Sequence, residues 1–521
     1  QKGLLSLERI FDDPPIAGRP PFQAKFSPDG GWVAWLRGNE GDSEIADLWV
    51  VRVPDGKPVR LAESKGLMDP QAARKTEAER MVEERRHVRH KGITSWQWCG
   101  KRQGRILFGL SGSLYLADAS AGTVKKVPAS SAVRLGTQCS HDGAMVAYVR
   151  DGELHAMQVA TGTERKLTTG ATETRTHGLA EFVAQEEMGR HEGFFWSPDD
   201  TKIAWLEVDE SQVAVRTRHR IQADGTETVT QRYPAAGQNN ARVALFVLDV
   251  ASGKSEPIEL PKQDGYVARV GWFSDDDPWV QWQSRDQRRL VLSVGTGKAR
   301  RTLLEDTDAD WVELDDHLHA CGASGFTWSS EKSGTNQLYL HDRKTESAGR
   351  RIGVSEDPLT DVVTIDESCS RGLVLRATNR GREQHLFEIE IGSGKERQLT
   401  REPGWHEVVA DEQGRWLFDL YSAIGRPIVG RLMDASGRVV QQIDSEIPPE
   451  FGSVRWPQPQ LVEVRAQDGT PLNGVLLPPM EREPGRKYPV VVYAYGGPSA
   501  QVAADRWSRG WLFHAWLTQR G

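Results

Sequence analysis

Glu186 and Glu187 are neighbouring carboxylates in the run EFVAQEEMGRHEGFFWSPDDTKIAWLEVDE, residues 181–210. An ammonium is their natural target, because it offers three donors and no acceptor. Adjacent residues on a strand point to opposite faces. On one turn of helix they sit about 100° apart, so both can reach one cation. Phe182, Val183 and Met188 frame the pair, and Phe194, Phe195 and Trp196 follow it. That apolar framing predicts a short helical insertion held against a sheet. A solvated acidic turn is the plainer reading of the same residues.

Other chemistry is sparser. The sequence holds no G-x-S-x-G elbow and no H-E-x-x-H pair; both are spacings that catalysis would require. Ser111 and Ser324 have glycines nearby at the wrong spacing, and His406-Glu407 lacks a second histidine. His317, His319 and Cys321 could touch a metal, but strand alternation favours a structural role, so neither metal nor cofactor is expected. Tyr495 precedes Gly496-Gly497-Pro498 at the end of the apolar run YPVVVYAY. A tyrosine at a strand's C-terminal end sits where open α/β sheets bind ligands, and its hydroxyl could donate to an oxyanion. Tyr493, two residues earlier, shares its face, and core packing is the default for either. Cys99, Cys139, Cys321 and Cys369 have no C-x-x-C spacing; disulfides and buried thiols both stay open.

The elements that must position these groups read as mainly β. A turn followed by a short apolar strand recurs as FSPDGGWVAWLR, CSHDGAMVAYVR, WSPDDTKIAWLEV and WFSDDDPWVQWQS, with degenerate copies at residues 365–378 and 409–422. Each copy leads into a second hairpin, and such a repeat predicts a β-propeller of seven to eight blades across residues 21–450. Two insertions break the rhythm. Residues 69–91 read as a helix capped by Asp69, started at Pro70 and ended by Gly92, with a basic C-terminal end. Residues 216–232 read as a hairpin arm turning at Asp224-Gly225. From about Phe451 the texture becomes a hairpin over Asp468-Gly469, a Pro/Gly/charge linker, the YPVVVYAY strand and a helix over Trp507–Gln519, the order in which an α/β sheet begins.

The chain has 521 residues, enough for two or more domains, and a net charge of −7, which argues against a nucleic-acid partner. No apolar run of about 18 residues exists, so no membrane span is expected. Gln1 in place of methionine fits a removed signal peptide or a trimmed chain.

Three blocks together resemble the dipeptidyl peptidase IV family of the prolyl oligopeptidase clan: the Q-E-E-M run with the strand after it, Arg232-Tyr233-Pro234 before Asn240, and Tyr488–Pro498. The resemblance runs from about residue 20 to the end. It implies a serine exopeptidase releasing N-terminal X-Pro or X-Ala dipeptides, with a propeller and an α/β-hydrolase domain beginning near residue 451 and packed on by residues 1–20. It implies that Glu186 and Glu187 hold the substrate's ammonium and that Tyr495 is the oxyanion donor. An arginine of the helical insertion would hold the substrate carbonyl, Arg85 first and Arg86 second. The Ser-Asp-His triad would lie beyond Gly521. Expected partners are peptides with a free N-terminus and a second copy, met through the hydrolase domain and the arm; the expected location is periplasmic or secreted. Related tripeptidyl or acylaminoacyl peptidases are the alternative within enzymes, and a non-catalytic propeller binding module the alternative outside them.

Overall fold

The recurring turn is a hydrogen-bonded unit. Ser27 Oγ donates to Asp29 (2.6 Å) and accepts from the Trp32 N–H (3.0 Å). Ser140 repeats this with Asp142 and Met145, and Ser197 with Asp199 and Lys202. In the last two copies Asp366 and Asp411 accept from the chain themselves. The fourth residue of each turn is left-handed: Gly30 (φ 71), Gly143 (φ 72), Asp200 (φ 62), Cys369 (φ 48) and Gly414 (φ 63). That conformation explains why Gly and Asp dominate there. WFSDDDPW departs from the pattern. Its turn closes through Phe273 and Asp277, and the Ser-x-Asp unit of that sheet lies one turn later, at Ser284 and Asp286.

The computed structural model describes residues 3–69, 75–101, 104–128, 133–322, 324–345, 348–443, 445–497 and 501–521. Each turn opens an antiparallel meander. Six separate sheets and one eight-stranded sheet, itself two meanders joined at Gln384 and Trp405, give eight blades. The first uses strands Phe22–Phe26, Trp32–Asn39, Asp42–Arg52 and Val59–Ala62; the last uses Trp405–Ala410, Trp416–Ala423, Arg426–Asp434 and Val439–Ile443.

Apolar clusters join each blade to the next. Leu36 and Leu48 of the first meet Ile106 and Phe108 of the second, and Ala147 and Leu154 of the third meet Phe194 and Ile203 of the fourth. Corresponding clusters fill the other junctions. Phe26, Trp35 and Val51 of the first blade pack on Phe418, Leu432 and Ile443 of the last, so the ring closes. Each such buried side chain contributes about 1.5–3 kcal/mol. The fold is an eight-bladed β-propeller. Cys99–Cys139 bridges the second and third blades and Cys321–Cys369 the sixth and seventh, so Cys321 is not available to a metal.

The insertions differ from expectation in detail. Among the described residues of 69–91, Glu77–Arg85 is α-helical, and the single turn Ser64–Leu67 precedes that stretch. Thr76 caps it in a capping box with Glu79, whose carboxylate accepts from the Thr76 N–H (2.7 Å). Asp69 is therefore not the cap, and Pro70 lies outside the described residues. The helix stops at Arg86 and His87 (φ 50). Gly92 does not end it, because Lys91-Gly92 ladder onto Ile45-Ala46. The arm is Val215–Gln222 paired with Gly225–Arg232. Gln222 faces Gly225, so the turn residues are Ala223-Asp224, one position earlier than expected.

Beyond the ring, Gln460–Arg465 and Pro471–Leu476 form the expected hairpin, and Gly510–Thr518 is helical. YPVVVYAY is not a strand: it has no ladder partner among the described residues, and Val490 and Val492 are 81% and 82% exposed. Apolar pattern alone does not make a strand without a neighbour to bond. Leu5 and Ile16 pack with Trp507, Trp511 and Leu512, and Gln519 bonds the Leu5 N–H. No helix among the described residues is long and apolar enough to cross a membrane.

Candidate functional site

The Glu186-Glu187 pair sits on an insertion within the fourth blade. Two short strands, Arg175–His177 and Phe194–Trp196, both pair with Lys202–Asp209, and residues 178–193 loop out between them. The loop is sewn to the sheet at both feet: Gly178 N–H donates to Leu206 O, and Leu206 N–H to Gly193 O, each at 2.8 Å. Inside it Phe182–Glu186 makes one helical turn whose Ala184 and Gln185 are buried.

A buried guanidinium holds this turn. Arg190, 3% exposed, pairs with Glu181 (2.7 Å) and donates to the Glu192 carbonyl (2.8 Å) and to Val267 O in the fifth blade (3.1 and 3.2 Å). Charge-assisted bonds of this kind are about twice as strong as neutral ones, and the planar fork suits several acceptors at once. Glu186 ends the turn half-buried, and Glu187 follows, exposed, at φ −107 and ψ −24. Neither carboxylate accepts a hydrogen bond from the described residues. Two acceptor-only groups thus stand unpaired on a rigid support.

Arg85, the last residue of the insertion helix, lies within electrostatic reach of Glu186, while Glu187 takes no part in that contact. Its guanidinium lies 4.8 Å from the Phe182 ring centroid, in cation–π range. Burial pulls Arg85 below its usual value, and the charges of Glu210 and Glu186 oppose that shift. Burial pushes the Glu210 carboxyl up, against the pull of Arg85 and Arg232. Tyr233 meets Phe182 edge-on at 5.0 Å. Glu186, Arg85, Phe182, Tyr233 and Glu210 therefore form one cage, rich in carboxylates and walled by aromatic rings.

Arg86 is turned away from it. Its guanidinium lies 3.5 Å from Glu192 and lines a cavity of about 710 Å³ with Lys25, Trp96, Gln97 and Gln138 on the innermost strands of the first three blades. Successive helix positions are about 100° apart, so the two arginines serve different spaces. Tyr495 makes no hydrogen bond, ion pair or ring contact with the cage among the described residues; the residue is 59% exposed, and Tyr493 lies against His514 (5.7 Å). Pro498 lies outside the described residues. Sequence reasoning missed Glu210 and Arg190. The only local signal for Arg190 was a lone basic residue amid Glu181, Glu186, Glu187 and Glu192, and its partner Val267 is remote in the chain.

Known proteins resemble this chain along most of its length. The family model "Dipeptidyl peptidase IV (DPP IV) N-terminal region" matches residues 99–428. A protein of Aspergillus flavus named "Probable dipeptidyl peptidase 4" is 24% identical over 458 residues, covering 80% of this chain and 57% of its own. Mouse dipeptidyl peptidase 8 is 22% identical over 460 residues, covering 71% of this chain and 52% of its own. The chain thus spans about half the length of the curated relatives it matches. The crystal structure of Porphyromonas gingivalis dipeptidyl peptidase 4 superposes on all of this chain and 73% of its own with a TM-score of 0.80, at 23% identity, which shows a shared fold. Since the matched region reaches from the second blade into the last, this chain belongs to the dipeptidyl peptidase IV family.

Proposed function

We infer that this propeller selects peptides by their free N-terminus for a dipeptidyl peptidase. Glu186 and Glu187 take the ammonium, Arg85 takes a carbonyl of the first residues, and Phe182 with Tyr233 walls the first side chain. The observation that carries this is the unpaired carboxylate pair on a buried-arginine support, with Arg85 stacked beside it. An acylaminoacyl peptidase would have no ammonium to offer such a pair. Hydrolysis after the second residue, with Pro or Ala preferred there, would need a serine nucleophile, and these 521 residues hold no G-x-S-x-G elbow to supply it. Tyr495 would serve that step as an oxyanion donor, on the α/β-hydrolase unit that residues 451–521 begin.

Two cross-blade disulfides support an oxidising location, periplasmic or secreted. A dimer through the arm tip and the hydrolase unit completes the reading; Ile221 at the tip is 82% exposed.

Binding of Ala-Pro-Ala to the 521-residue chain, measured by calorimetry against its N-acetylated form, tests the central claim. Losing a charge-assisted contact costs about 1.5–3 kcal/mol, so acetylation is expected to weaken binding by at least tenfold. Equal affinities would refute the role of the pair.

A further inference from the structure

No residue of the insertion helix that carries Arg85 is fully buried. Apolar packing therefore does not fix where it lies, although most helices in proteins are positioned that way. What holds it is charge. On the arm, Arg218 and Arg220 alternate onto one face of the strand. On the helix, Glu77 and Glu84 stand two turns apart on one side. Arg218 reaches Glu84 at 2.6 Å, and Arg220 reaches Glu77 at 2.8 Å and Glu84 at 3.5 Å. Glu227, the cross-strand neighbour of Arg220, closes the lattice at 3.1 Å and meets Arg80 of the helix at 3.8 Å.

The same arm reaches the cage at its foot. Arg232 donates to the carbonyls of Val213 (2.9 Å) and Glu210 (3.3 Å), and the next residue, Tyr233, packs on Phe182. Shaft and foot thus converge on one ring: the shaft grips the helix that lays Arg85 over Phe182, and the foot supports Phe182 from the side.

We propose that the arm is a clamp for Arg85: the ion pairs of Arg218 and Arg220 with Glu77 and Glu84 set the helix over the glutamate pair and thereby govern affinity for a peptide's N-terminal residues. This rests on the reading of the cage given above. Arg218 and Arg220 are positioning residues and touch no substrate. The pairs are partly exposed, so each is individually weak and screened by salt, and their joint geometry supplies the hold. Hydrogen bonding to Arg220 holds Glu77 below the usual carboxylate range, and bonding to Arg218 does so for Glu84.

The test uses the 521-residue chain, a double variant R218E/R220E, and a charge-swapped variant that adds E77R/E84R. Two quantities are read: amide hydrogen exchange of residues 77–86, and the Kd of Ala-Pro-Ala. Three repelling contacts replace three attractive ones between arm and helix in the double variant, so exchange is expected to be about tenfold faster and binding about tenfold weaker. The charge-swapped variant is expected to regain both, which a merely structural role for the arginines would not produce. In the wild type, about 0.5 M NaCl is expected to speed exchange in the same segment. Unchanged exchange in the double variant overturns the proposal, as does faster exchange that the swap fails to restore, or restored exchange with affinity unmoved. If the wild type binds free and acetylated tripeptide alike, the N-terminus reading falls, and the exchange series still decides whether the arm holds the helix.

Discussion

Replacing Arg190 by methionine removes a buried cation and strands its partners. Arg190 and Glu181 are 3% and 5% exposed, and Val267 O and the Glu192 carbonyl take the remaining N–H groups. Breaking one side of a buried ion pair costs about 3–5 kcal/mol, because the other charge is left without compensation. Since about 1.4 kcal/mol is tenfold, opening of the Phe182–Glu186 turn should become at least a hundredfold more frequent. Native-state hydrogen exchange reads this directly, at the amides of residues 187 and 190, which bond Val183 O and Ala184 O at 2.9 Å in the intact turn. The ring should be spared, since the loop leaves and rejoins the fourth blade through separate strands. A second variant, R190M/E181L, removes both charges and should recover much of the protection. Exchange within about threefold of wild type in R190M, or a double variant as fast as the single one, would refute the view that this pair supports the carboxylates.

Arg85→Ala should weaken Ala-Pro-Ala binding about tenfold by calorimetry, the worth of one charge-assisted contact, while Arg86→Ala should leave it within twofold. Glu164 gives a pH dependence. Burial acts to raise its carboxyl, but hydrogen bonds from Arg150 (2.6 Å) and Arg134 (3.0 Å) win and hold it at about 2, against an ordinary 4.5. A lowered folded-state value means that the contribution is full above about 4.5 and is lost as pH falls towards 2. Urea unfolding of Glu164→Gln should therefore be weaker at neutral pH and flatter across that acid window. Replacing Cys99 and Cys139 together by serine frees a loop with a sequence separation of 40 and should lower unfolding stability by about 4 kcal/mol on the chain-entropy account, read by urea titration.

Local chemistry made the ring readable in advance. A Ser or Asp that closes a turn through its own side chain, followed by a left-handed residue, leaves a signature within a few residues, and the blades could be counted from it. The arm was readable for the same reason. What failed depended on competition or on partners far away. Asp69-Pro70 looks like a helix start, but Pro70 lies outside the described residues, and Glu77–Arg85 takes its cap from Thr76-x-x-Glu79, which offers two reciprocal bonds. The valines of residues 490–492 have the pattern of a buried strand, but a strand is a relation between two segments. At the site, the carboxylate pair was visible as a pair. The order of Arg85 before Arg86 came from the resemblance alone, since the residues do not show which way the helix is rotated. Arg190 was silent because the fifth blade, through Val267 O, accepts two of its four hydrogen bonds.

The way the ring closes bears on how it would tolerate being cut. The four-stranded meander of the first blade comes from residues 22–62, with Lys91-Gly92 added along Ile45-Ala46, and that of the last from residues 405–443, with no strand exchanged between them. Their junction is made by apolar side chains, a contact from Arg415 to Asp29 O (3.1 Å), and Arg37 reaching Glu446 (3.2 Å). Topologically the seam is one junction among equals. Gly3 N–H already bonds Ser453 O, so the gap to be spliced is short. A circular permutant of the ring that joins those points and begins at the third blade would keep every ladder of the eight blades, and today's seam would become an interior junction of an otherwise identical wheel.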